Sequence, residues 1–325
     1  VDMDLFENDL SLSFDYFYRK KDDVIASASS SVPSTLGVQL ANQNLHEYSN
    51  EGFEISANYK KQFNQDWKFN AGLNFSKARE KAVFIDEAPI TDSFMASNLT
   101  QTGNYTNLRR GYISDGLFQT QEQIDASPLQ DTNGNATIKT GDIKYQDLNG
   151  DDVIDVKDQK VFGDGDKATI NYSLNLVAQY KNWSLSALLT GAAGYDLYLD
   201  GEAQSPLRNG FNGYEYQLDY WTPENTSAAF PRITEGGTGT GNNYKYSDYW
   251  LRDGMHLRVK NINLSYSFPK ALIGGTLDEL KLYFTGYNLF VIKNYNEAFD
   301  PQMDSSQGFY YPQTKSLTFG VNVSL

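Results

Sequence analysis

Residues 171–190 read Asn171-Tyr-Ser-Leu-Asn-Leu-Val-Ala-Gln-Tyr180-Lys-Asn-Trp183-Ser-Leu-Ser-Ala-Leu-Leu-Thr190. Tyr172, Leu174, Leu176, Ala178 and Tyr180 interleave with Asn171, Ser173, Asn175, Val177 and Gln179. After Lys181 and Asn182 the alternation resumes on Trp183, Leu185, Ala187 and Leu189. A period of two is the signature of a strand whose successive side chains point to opposite faces of a sheet. Two such rows joined by two polar residues predict a tight antiparallel hairpin. One of its faces is apolar and ring-tipped; the other is Ser and Asn.

The same period recurs along the chain. Leu10–Tyr18, Phe53–Tyr59, Trp67–Phe75, Ile262–Phe268, Leu280–Phe284 and Leu317–Leu325 all alternate apolar with polar residues. The helical template fits almost nowhere. About eight strands are clear, and Gln39–Leu45 and Tyr105–Ile113 are expected to add two more. An amphipathic strand set suits either a soluble sandwich or a membrane barrel. Rings favour the barrel: Tyr16 and Tyr18, Phe53 and Tyr59, Trp67 and Phe75, Tyr172 and Tyr180, and Tyr266 and Phe268 end the apolar rows. Outer-membrane barrels carry such aromatic girdles at both water–lipid boundaries. Connection lengths favour it too. Tyr59 to Trp67 and Tyr180 to Trp183 are short, whereas 77–104, 114–168, 192–255 and 293–315 are long and polar. Short turns at one rim and long loops at the other are expected of a transmembrane antiparallel β-barrel.

Composition narrows the function. The 325 residues carry a formal net charge of −14, against the basic face that nucleic-acid binding needs. There are no cysteines and only two histidines, His46 and His256, which removes thiolate chemistry and leaves little for histidine-based catalysis. Both histidines are expected at the surface. Rings are 14% of the chain, yet mean hydropathy is −0.54. No run of about 18 apolar residues could make a membrane-crossing helix, but barrel strands need only about 10 alternating residues. The start, Val1-Asp-Met-Asp4, lacks the basic and apolar regions of a signal peptide and already enters a strand pattern.

One motif carries candidate chemistry. In Asp147-Leu-Asn149-Gly-Asp151-Asp-Val153-Ile-Asp155-Val-Lys-Asp158, oxygen donors fall at positions 1, 3, 5, 7, 9 and 12 of a calcium loop. Asp147, Asn149, Asp151, the Val153 carbonyl, Asp155 and Asp158 are the expected ligands of a structural calcium ion. Asp152 stands where such loops carry glycine, and Asp158 where they carry glutamate. Asp164 and Asp166 read as part of a turn. Gly236–Asn242 lacks the lysine and following helix of a phosphate loop and reads as a plain loop. Trp221, Trp250, Tyr214, Tyr216 and Tyr249 could stack on sugars, but loop packing is their commoner role. Paired carboxylates carry little weight among 41 acidic residues.

Six strings in order carry a resemblance over residues 40–325: Gly111-Tyr-Ile-Ser-Asp-Gly-Leu-Phe-Gln119, Gly141-Asp-Ile-Lys-Tyr-Gln-Asp-Leu-Asn-Gly150, Asp219-Tyr-Trp-Thr-Pro-Glu-Asn225 with Phe230-Pro-Arg-Ile233, Ser247-Asp-Tyr-Trp-Leu-Arg-Asp-Gly254, Leu282-Tyr-Phe-Thr-Gly-Tyr-Asn-Leu-Phe290, and Phe299-Asp-Pro301 with the final strand. Together they resemble the C-terminal part of SusC/RagA-type TonB-dependent outer-membrane transporters of Bacteroidetes. The resemblance implies a barrel of about 22 strands, of which residues 1–325 supply roughly the last 10 to 11, with 114–168 as a long acidic extracellular loop. It implies a plug domain and a TonB-contacting segment outside this sequence, a SusD-like lipoprotein partner, the TonB–ExbB–ExbD energy source, and an assembly of two transporter–lipoprotein pairs. Implied substrates are oligosaccharides or oligopeptides; catalysis is not required. Leu325 departs from the Phe that usually ends the family. The alternative is a soluble or surface-exposed all-β carbohydrate-binding protein.

Overall fold

The computed structural model describes residues 1–27, 35, 37, 40–210, 212–234, 241–274, 277–295, 297, 299–302 and 311–325. Nine strands form one antiparallel sheet: β1 (Asp2–Leu5), β2 (Leu10–Ser27), β3 (Asn42–Gln62), β4 (Trp67–Phe84), β9 (Ile170–Tyr180), β10 (Trp183–Ala193), β13 (His256–Ser267), β14 (Glu279–Lys293) and β15 (Ser316–Ser324), in that spatial order. Six short strands lie in the long loops: β5 (Arg109–Gly111), β6 (Ser114–Leu117), β7 (Ile143–Tyr145), β8 (Lys160–Phe162), β11 (Asp196–Tyr198) and β12 (Leu251–Asp253). They pair as β5–β8, β6–β7 and β11–β12, outside the main sheet.

All eight clear rows are strands of the sheet. The two further candidates do not enlarge it. The 39–45 stretch runs into β3 from Asn42 onward, and 105–113 contributes only the three residues of β5. Among the described residues β1 and β15 remain edges of an open sheet.

Register converts alternation into two chemically distinct faces. Phe69, Ala178, Leu185, Leu264, Phe284 and Phe319 lie side by side across six strands. On the opposite face Ser13, Ser56, Asn74, Ser173 and Thr190 are neighbours. There the Ser56 hydroxyl donates to Asn74 Oδ1 at 2.9 Å and Asn74 Nδ2 donates to Ser173 Oγ at 3.3 Å. Among the described residues no second layer covers the apolar face: Leu73 is 43%, Phe284 44% and Phe319 69% exposed. A sandwich would have buried these side chains against another sheet. Water-exposed apolar ladders of this extent mark a surface made for hydrocarbon.

Rings line the short-turn rim. Trp67, Tyr180, Trp183 and Tyr266 are register neighbours, with Trp67–Tyr180 centroids 4.5 Å and Trp183–Tyr266 centroids 4.8 Å apart. Higher up, Tyr172 lies flat across Gly191 and its hydroxyl donates to the His256 carbonyl at 2.7 Å; a Cβ on Gly191 would stand 2.1 Å from that ring. Strands β2, β3 and β4, at 18, 21 and 18 residues, exceed the roughly 10 a bilayer needs. Their loop-side ends carry Lys20–Glu47 and Lys21–Glu80 ion pairs, as expected of strands standing in water.

The hydrophobic core sits in the loops. Ile143, Tyr145, Ile154, Tyr198, Leu199, Ala203, Phe230, Trp250, Tyr295 and Phe299 form one buried cluster. These residues come from the β4–β9, β10–β13 and β14–β15 connections, so three loops share a single interior.

Candidate functional site

The Asp-rich loop is held by its own backbone. Asp158 is fully buried; its carboxylate accepts from the amides of Leu148 at 2.9 Å, Asn149 at 3.4 Å and Asp155 at 2.8 Å. Asp147 accepts from Gly150 and Asp152, Asn149 Oδ1 from the Asp151 amide, Asp151 from the Val153 amide, and Asp155 from the Lys157 amide. The Lys157 ammonium lies 3.9 Å from the Asp151 carboxylate. Asp152 takes the left-handed backbone, φ 60°, that the missing glycine would have supplied. Among the described residues no three acidic or histidine side chains converge as a metal site requires. These amide bonds curl the loop and leave each carboxylate further lone pairs, so calcium here stays a proposal carried by the donor spacing. Burial pushes the Asp158 carboxyl above the ordinary carboxylate range, while its amide partners pull it down.

Of the five rings singled out as possible sugar platforms, three are tied down in packing. Trp250 is fully buried and its indole donates to Asn243 O at 2.9 Å. Trp221 covers Gly141 and donates to Gln119 Oε1 at 2.9 Å. Tyr249 donates to Ala229 O at 2.9 Å. Tyr214 and Tyr216 stack on each other at 5.5 Å and abut Phe299. Of the glycine-rich run, 236–240 lies outside the described residues.

His256 corrects the surface expectation: it is 2% exposed, at the loop end of β13. Its Nδ1 lies 3.0 Å from the Gly254 carbonyl, which can only accept, so Nδ1 carries the proton. Nothing in the alternation of β13 distinguishes this first position from the surface positions below it. His46 stays in β3, its Nδ1 3.2 Å from the Tyr48 hydroxyl.

Where the loops meet the sheet they enclose a cavity of 650 Å³. Pairing of Asp196 with Asp253 aligns β11 with β12 and sets one wall. The turn at Gly163 and Gly165, both left-handed, packs beneath it; a Cβ on Gly165 would lie 1.9 Å from the Asn107 carbonyl. Asp196 caps this turn by accepting the Asp164 amide, and burial raises its carboxyl above the usual range. Arg109 donates to the Tyr246 hydroxyl at 2.8 Å and the Asp196 carbonyl at 3.3 Å. The Tyr198 and Tyr246 rings lie tilted against each other with centroids 4.3 Å apart. Arg252 pairs with Glu297, and buried Arg258 pairs with Asp300, each at 2.5 Å. The Tyr195 hydroxyl donates to Pro301 O at 2.6 Å, and burial pushes it up to about 12. Arg252 and Tyr295 also border a second cavity of 720 Å³ between Leu117, Tyr216, Phe230 and Tyr249. None of these cavity residues forms a motif in sequence, because they come from segments up to about 190 residues apart.

No family model matches the chain. It is 27% identical to TonB-dependent receptor P3 of Formosa agariphila over 99% of its length. It is 26% identical to TonB-dependent receptor SusC of Bacteroides thetaiotaomicron over 100% of its length. A solved structure, the RagAB peptide transporter, superposes on 98% of the chain with a TM-score of 0.71 at 19% identity. The chain is thus similar, over nearly its whole length, to TonB-dependent receptors of the SusC/RagA type. It spans about a third of the relatives it matches: 33% of receptor P3, 31% of SusC and 33% of the RagAB chain. SusC/RagA-type receptors are outer-membrane proteins, and the relatives are receptors and transporters rather than enzymes.

Proposed function

We propose that this chain forms barrel wall, lumen surface and external loops of a receptor that imports oligosaccharides or oligopeptides across the outer membrane. The observation that carries the reading is the inversion of polarity. The nine-stranded sheet leaves its apolar ladder uncovered and turns a hydrogen-bonded Ser/Asn/Thr face the other way. Hydrocarbon stabilises the first face, and water or a hydrophilic cargo satisfies the second. No step of covalent chemistry is needed from these residues. Energy would arrive from TonB–ExbB–ExbD through a plug segment outside the chain, and a SusD-like lipoprotein would cap the loop rim. Two such transporter–lipoprotein pairs would associate in the membrane.

The test is uptake of fluorescently tagged oligosaccharides and oligopeptides by cells carrying the whole receptor. Accumulation is expected to require both the receptor and a functional TonB, and to stop when the proton gradient is collapsed. Uptake that persists without TonB would overturn the reading, as would release of the receptor from membranes by high salt without detergent.

A further inference from the structure

We propose that the described part of the β14–β15 connection, Tyr295, Glu297 and 299–302, is an inward-folded strap that limits the size of cargo the receptor admits; the inference rests on the uptake reading above. Arg258 of β13 is the register partner of Thr190, so it stands on the Ser/Asn/Thr face of the sheet. His256, two residues nearer the loops, takes the same face, and Lys293 of β14 is its partner. On a bare wall these side chains would meet water. Instead Arg258 and His256 are each 2% exposed. The strap covers them: Asp300 pairs with Arg258 at 2.5 Å, and the Tyr195 hydroxyl, 3.1 Å from His256 Nδ1, donates to Pro301 O at 2.6 Å. The β14–β15 connection therefore folds over the polar face of the wall rather than away from it.

Side chains make this hold. None of 299–302 lies in a strand or helix. The Lys293 ammonium donates to the carbonyls of Glu297 and Phe299, and the Tyr295 hydroxyl to the Phe299 carbonyl at 2.9 Å. Arg252 of β12 donates to Glu297 at 2.5 Å, and the Phe299 ring enters the buried loop cluster. Apart from Tyr295, these donors stand on β12, β13, β14 or at Tyr195, and their acceptors stand on the strap. Bonds from cationic donors fix orientation as well as contact. In the barrel of the uptake reading the polar face is the lumen face, so the strap occupies space that a bare wall would leave open. Cargo must clear it, and exclusion by size follows from steric clash alone. No charge on the cargo is required.

The test uses the whole receptor. Asp300→Asn combined with Arg258→Gln removes the ion pair without leaving a buried charge unmatched. Tyr195→Phe, made separately, removes only the hydroxyl that holds Pro301. Leu272→Ala, on the exposed short turn between β13 and β14, is the control. The first readout is hydrogen exchange in detergent. Exchange at 299–302 is expected to quicken about tenfold in both strap variants, with β13 and β14 unchanged. The second is uptake by cells of fluorescent oligosaccharides and oligopeptides of graded length. Short members should enter as in the wild type, and the cut-off should move to longer members in both strap variants but not in the control. An unmoved cut-off, uptake that falls equally at every length, or unchanged exchange at 299–302 would overturn the strap. If wild-type uptake never depends on TonB, the transport reading fails; a cut-off that still moves with the variants would uphold the strap, and one that does not would overturn it.

Discussion

Asp131 accepts four hydrogen bonds: from the amides of Asn133, Asn135 and Thr137 and from the Thr137 hydroxyl, at 2.6–2.9 Å. Burial alone would raise its carboxyl, but the Thr137 hydroxyl and these amides bring it down to about 2. A carboxylate lowered on folding stabilises above its unfolded value, near 3.8, and loses that contribution as pH falls toward 2. Hydrogen-exchange protection in 131–137, taken relative to intrinsic exchange at each pH, should therefore hold from neutrality to about pH 4 and fall below it; protection unchanged down to pH 2 would contradict the assignment. Asp158 has the opposite sign. Its carboxyl is raised, so the ionised form is the costly one, and local stability should decline as pH climbs above the ordinary carboxylate value. Asp158→Ala strands three part-buried amides, at about 1–3 kcal/mol for unmet polar groups, and should open 141–166 to protease. The donor spacing proposes calcium in this loop, so a chelator should speed cleavage of 141–166 in the wild type. A cleavage pattern unchanged by calcium or chelator would count against that site.

Individual strands carry the membrane argument, and neighbouring residues on one strand test it. Leu73 stands on the exposed apolar face of β4 in register with Ala57 and Leu174, six residues in from the short-turn rim; Asn74 stands on the opposite, Ser/Asn face. Leu73→Lys places an ammonium near mid-bilayer and should cost roughly 2–4 kcal/mol of barrel stability, whereas Asn74→Lys should be close to neutral. Urea unfolding of the whole receptor in lipid vesicles, followed by tryptophan fluorescence, reads the difference. Equal effects would mean that both faces meet the same solvent. These strands were legible from sequence because a period of two needs only local residues to declare it, and the rings at the row ends located a rim. Strand ends were less legible. β2 to β4 continue well past the apolar rows as two-sided polar ribbons, where alternation gives no signal and pairing is sustained by ladder hydrogen bonds and pairs such as Lys20–Glu47.

At the scale of the whole molecule the sheet contributes a wall and the loops contribute the interior. Sequence reading assigned the loops as polar and irregular because their order is long-range. Asp142 is held by Arg232 at 2.7 Å and Asn243 at 2.8 Å, and Tyr145 donates to the Asn242 carbonyl at 2.8 Å. Lys245, its basicity lowered by burial, donates to the Gln130 carbonyl and lies over Tyr112 and Tyr145. No local period announces such contacts, and the cavity they frame was invisible for the same reason. Trp250 stands at the meeting point, fully buried against Phe230 and Tyr249. Trp250→Ala should cost about 3–5 kcal/mol within the loop layer, while the strands of the sheet pair through their own backbone ladders. The expected result is a receptor that still inserts and resists unfolding in its strands, while hydrogen exchange rises together in 113–158, 195–252 and 295–302. A rise confined to one of these segments would show that the three loops are separate units resting on the wall, and the cavity between them would then lack a fixed shape in which to hold a ligand.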